Sequence, residues 1–135
     1  MKNKLFYIVL TMVAITAIML TSCSKEKRIE GKWKIDRASG EYSDDKGETW
    51  TFKSNGTCIC YLGGLDLDGE WSLSKDDFSI ELDMRDYGYD AKKVLGDFTI
   101  EKLSSNEMSI SGVWKIMWVD GGSDNRKASY DFEKK

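Results

Sequence analysis

From Ile29 onward, apolar and polar side chains alternate through most of this chain. Ile29, Gly31, Trp33 and Ile35 alternate with Glu30, Lys32, Lys34 and Asp36, the period of two that belongs to a half-buried strand. Trp50 and Phe52 alternate with Thr51 and Lys53. Further on, Trp71 with Leu73, then Phe78 with Ile80 and Leu82, repeat the spacing. Phe98 and Ile100 resume it, and Met108, Ile110, Gly112, Trp114, Ile116 and Trp118 share one face over the longest regular stretch. Ala128, Tyr130 and Phe132 mark a final strand.

Between these runs the residues favour turns. Ser54-Asn55-Gly56-Thr57 is a hairpin signal, because Asn and Gly tolerate positive φ. A two-residue Asn-Gly loop places Ile59 and Tyr61 on the face of Trp50 and Phe52; a three-residue loop ending in a Gly56 bulge places Cys58 and Cys60 there. Both faces of that strand carry apolar residues, so the pattern leaves the register open. Gly63-Gly64 ends the strand, Asp68-Gly69 precedes the next, and the alternation lapses from Met84 to Gly96. About eight strands result, with no amphipathic helix between them and no room for parallel crossovers. The fold class predicted is all-β, an eight-stranded antiparallel up-and-down barrel, which hides its edges by closure; a two-layer β-sandwich is the alternative.

The first residues follow a different pattern. Lys2 and Lys4 precede an apolar run from Leu5 to Leu20, and the composition turns charged at Ser24-Lys25-Glu26-Lys27-Arg28. A charged start, an apolar middle and small residues before a cut site make a secretory signal. The run is slightly shorter than the roughly 20 residues that cross a bilayer. The expected organisation is a signal peptide over 1–22, a tether over 23–28 and one domain over 29–135, a length that suits a single core. A formal charge of −3, with bases scattered among carboxylates, argues against nucleic acid as partner. The chain contains no His, which removes the commonest general base and the commonest metal ligand. No catalytic residue, metal ligand or cofactor is assigned, and the chain is not expected to be an enzyme.

Leu20-Thr21-Ser22-Cys23 resembles the lipobox of bacterial lipoproteins. That resemblance implies a diacylglycerol on the Cys23 sulfur, with Cys23 as the mature N-terminus and a lasting hold on a membrane. Gly31-Lys32-Trp33 resembles the Gly-x-Trp signature of lipocalin-like proteins. Thr51-Phe52-Lys53-Ser54-Asn55-Gly56-Thr57, Gly69-Glu70-Trp71-Ser72-Leu73 and Phe98-Thr99-Ile100-Glu101-Lys102-Leu103 look like later landmarks of the small lipocalin-like lipoproteins of Gram-negative bacteria. The resemblance implies an eight-stranded barrel with a cavity at one end, held in the cell envelope at the outer membrane.

Two functions follow as expectations. The first is binding of a small apolar or amphiphilic ligand, with Trp50, Trp71, Trp114 and Trp118 lining the pocket, since pockets are rich in aromatic side chains. In a small barrel, however, the same rings serve as filling. The second is a cavity-less module that docks an envelope protein or a glycan through its loops, above all through Tyr87-Gly88-Tyr89 in the long connection. Cys58 and Cys60, at i and i+2, sit at the edge of disulfide range and read as small buried thiols. Asp66-x-Asp68-Gly69-Glu70 and Asp44-Asp45-x-Gly47-Glu48 hold fragments of a calcium loop without its full ligand set, and read as solvated turns.

Overall fold

The computed structural model describes residues 25–135. Eight strands follow one another round a closed barrel: β1 (Gly31–Ala38), β2 (Thr49–Phe52), β3 (Thr57–Leu62), β4 (Leu65–Ser74), β5 (Asp77–Asp83), β6 (Ala91–Leu103), β7 (Glu107–Trp118) and β8 (Ser123–Lys134). Every neighbouring pair is antiparallel, and β8 closes onto β1 with Ile35 opposite Phe132. This is the up-and-down barrel that the alternation predicts. The sandwich is excluded, because each strand pairs only with its neighbours in sequence and the last pairs with the first.

The β2–β3 hairpin settles the open register. Lys53 N–H donates to Thr57 O at 2.9 Å, and Gly56 takes a φ of 85°, so Ser54-Asn55-Gly56 form a three-residue loop. Trp50 therefore pairs with Cys60 and Phe52 with Cys58, and both thiols are buried and free.

Two strands begin earlier than the alternation suggests. β4 starts at Leu65, so the Asp66–Glu70 stretch, read as a turn, is strand. Leu67 and Gly69 take its inward positions, and a Cβ on Gly69 would collide with the Glu81 carbonyl oxygen across the pair. The tight approach needs a glycine, and a glycine carries no hydrophobic signal. β6 likewise starts at Ala91, which shortens the long connection to residues 84–90. A register shift between Ala91 and Lys93 breaks the alternation there. Gly96 is also inward, and its Cβ would lie 2.6 Å from the Phe98 ring and 2.7 Å from that of Trp114.

Both mouths of the cylinder are covered. At the end where the chain enters and leaves (the near end), residues 25–29 form a helical turn, so Lys25 to Arg28 are not a free tether and Ile29 precedes β1 instead of starting it. Ile29 is fully buried, and its carbonyl accepts the Trp33 indole N–H at 2.7 Å. Lys25 reaches Asp76 in the β4–β5 turn at 3.4 Å, while Lys134 donates to the Arg28 carbonyl at 2.9 Å. The turn thus spans opposite sides of the near rim. At the far end, the 3₁₀ segment Gly40–Asp45 folds inward with Tyr42 and Asp45 buried. Asp45, read as part of a solvated turn, instead accepts the Gly63 N–H from the β3–β4 turn at 3.1 Å. Among the described residues, no helix is long and apolar enough to cross a membrane.

Candidate functional site

The barrel interior is the first place to look for a pocket. Trp50 stands at its centre, with ring centroids 4.7 Å from Tyr130, 4.8 Å from Phe132 and 5.8 Å from Trp114. Phe98 meets Trp114 edge to face at 4.9 Å, a geometry that adds to plain burial. Trp33, Trp50 and Trp114 have 0% of their surface exposed. A side chain lining a space wide enough for water would retain accessible area, so these rings face neighbours and no void. The interior polar atoms are also satisfied. The Trp114 indole donates to Tyr130 Oη at 2.8 Å, and the Trp50 indole donates to the Tyr61 carbonyl at 2.8 Å. Burial pushes the Tyr130 hydroxyl and the Cys60 thiol well above their usual pKa values, so both stay neutral.

The other aromatic candidates lie at the rims. Trp71, half-buried at the near end, packs edge-on against Phe52 and Phe78 and donates to the Lys53 carbonyl at 3.0 Å. Trp118, half-buried at the far end, donates to Asp124 at 3.0 Å. The structure therefore does not bring the four candidate indoles onto one lining: two are central packing and two sit at opposite ends.

Tyr87 and Tyr89 belong to the far end. Tyr87 closes the short 3₁₀ turn Arg85–Tyr87 and donates its hydroxyl to the Asp66 carbonyl at 2.7 Å. Gly88 follows with a φ of 72°, a left-handed step that an L side chain resists, and it turns Tyr89 outward. Tyr89 is 58% exposed, and Val119 on the β7–β8 turn is 70% exposed. Val119 N–H donates to the Asp90 carbonyl at 2.7 Å, which ties that turn to the Tyr89 loop. Tyr87, Tyr89 and Val119 are the exposed large apolar side chains among the described residues, and all three lie at the far end. Val119 escapes a sequence reading because it follows Met117 and Trp118 in an unbroken apolar run that does not show which of its members faces outward.

Beside this rim, an open groove of about 490 Å³ runs on the outside of β4, β5 and β6. Glu70, Glu81 and Asp83 line it together with Arg85, Lys92 and Lys93. Lys93 meets Glu81 at 3.3 Å and Arg85 meets Asp83 at 2.6 Å. Hydrogen bonds from the Arg85 side chain and backbone hold the Asp83 carboxyl down at about 2. Among the described residues, no group of three or more His, Cys, Asp or Glu is placed to hold a metal ion. Cys23, the lipidation candidate, lies outside the described residues. No protein-family model, curated protein or solved structure matches this chain.

Proposed function

We propose that this chain is a membrane-anchored lipoprotein whose lipocalin-like barrel is a non-catalytic docking module, recognising an envelope protein or a glycan through its far-end loops. The observation that carries the reading is the filled interior: Trp50, Trp114, Tyr130 and Phe132 pack ring to ring with at most 3% exposure. Side chains committed in this way are not available to a ligand, which leaves recognition to the outside. There the exposed Tyr87, Tyr89 and Val119 gather at one rim, and Tyr is a side chain enriched where proteins meet partners. In this reading Cys23 bears the lipid and holds the protein at the outer membrane.

Two measurements test it together. A hydrophobic fluorescent probe should neither bind the purified protein nor shift its Trp emission. Tyr87→Ala combined with Tyr89→Ala should abolish retention on a glycan array or on purified envelope proteins and leave the melting temperature nearly unchanged. Probe uptake with a shifted Trp emission would return an apolar ligand to the interior and overturn the docking reading.

A further inference from the structure

The two ends of the barrel differ in charge as well as in apolar exposure. The near-end connections and termini present Lys27, Arg28, Lys53, Lys75 and Lys135, all exposed and none in an ion pair, against Glu26 and Glu30, with Asp77 and Glu133 on the adjoining strand ends. The far-end connections reverse the balance: Glu41, Asp44, Glu48, Asp90 and Asp120 are exposed there, with Lys46 and Arg85 as the bases.

Chain length adds a second constraint. Residues 25–29 are folded across the near mouth and held there by Ile29, by the Lys25–Asp76 pair and by the Lys134 bond to Arg28. Cys23 is two residues ahead of Lys25. Two residues of chain span at most about 7 Å. A lipid on Cys23 therefore brings the near end itself to the headgroups, with no free tether between them.

We infer that the near end of the barrel is a docking surface for an anionic lipid headgroup layer, so that the barrel stands upright and turns its acidic, tyrosine-bearing far end away from the membrane. This rests on the lipoprotein reading above. Each Lys or Arg close to an anionic membrane surface strengthens attachment by about fivefold, an attraction lost beyond a Debye length. Strands as long as the 12-residue β7 separate the two ends, which puts the far-end carboxylates beyond a Debye length from a surface that meets the near end.

The test uses the full mature chain, reconstituted in phosphatidylglycerol–phosphatidylcholine vesicles that carry a headgroup nitroxide. One fluorophore is placed at Ser105→Cys in the near-end β6–β7 turn, or at Ser43→Cys in the far-end 3₁₀ segment. Both positions are exposed, whereas Cys58 and Cys60 are buried and escape labelling. The nitroxide should quench the Ser105 label strongly and the Ser43 label hardly at all. In phosphatidylcholine alone, or after Lys27→Gln, Arg28→Gln, Lys53→Gln and Lys75→Gln together, the difference should narrow to what the Cys23 anchor alone imposes, because the barrel is then free to tilt. Equal quenching of the two labels, or a difference indifferent to lipid charge, overturns the proposal. Intact mass of the same sample reports the acyl chains on Cys23, so a failure of the lipoprotein reading is seen separately.

Discussion

Asp45 is the residue where closing the barrel and solvating a charge conflict. Its carboxylate caps the Gly63 N–H at the far mouth, and burial, reinforced by the nearby Glu48 and Asp44, raises its pKa above the ordinary 3.8. A raised folded-state pKa means that the native state keeps its proton longer than the unfolded chain does. This contribution to stability is therefore greatest below 3.8 and falls as the pH climbs through the folded value. Asp83 works in the opposite sense: held at about 2 by Arg85, it contributes stability above 3.8 that is lost as the pH drops towards 2. Asp45→Asn should retain an acceptor for Gly63 and remove the buried charge. Urea midpoints measured across pH should then lie above the natural protein's at neutral pH, with the acid limb that belongs to Asp83 unchanged. A lower midpoint at neutral pH would mean that the carboxylate, not merely an acceptor, is what Gly63 requires.

At the scale of elements, most of the barrel is legible in the alternation, because large apolar residues take alternate positions through β5, through most of β7, in the middle of β1 and near the end of β8. The first halves of β4 and β6 are hidden for a shared reason. Their inward positions hold Gly69 and Gly96, which let a neighbouring strand or indole approach and give no sign in a hydrophobic pattern. Gly96→Ala should force the Phe98 and Trp114 rings aside and cost about 1–3 kcal/mol in chemical unfolding. The Arg85–Tyr87 turn and the exposed far-end rim suffer a different blindness: Tyr87 and Tyr89 are recognisable in sequence, but the apposition of Val119 with Asp90 depends on the β6–β7 register, in which Ala91 faces Trp118. The helical turn over 25–29 is the third hidden element, since the four charged residues Lys25 to Arg28 read as a tether and Ile29 reads as the start of the first strand. Its one apolar anchor is Ile29, fully buried beneath it. Ile29→Ala should lower stability by about 2–5 kcal/mol, whereas a mere linker residue would register near zero. The same denaturation curves separate these outcomes.

For the molecule as a whole, the decisive quantity is the volume of its filling, because an eight-stranded barrel has an interior that side chains can just fill or can leave hollow for one small ligand. Here Trp114 fills space opened by Gly96, and its indole N–H satisfies Tyr130 Oη at the centre. Removing that ring should convert a packed barrel into a hollow one. Trp114→Ala is expected to lose about 3–5 kcal/mol, part of it from the Tyr130 hydroxyl left without its partner. A void of this kind, walled mainly by aromatic rings, accepts a small aromatic molecule. Free indole matches the missing ring in shape and in its N–H donor, so it should raise the melting temperature of the Trp114→Ala variant in a concentration-dependent way. The natural protein, already full, should show no such shift. Equal stabilisation of both would reveal room beside the native rings and would weaken the argument that recognition belongs to the outside. Rescue of the variant alone would show that this chain has the architecture of a ligand-holding barrel and that its own side chains occupy the ligand's place.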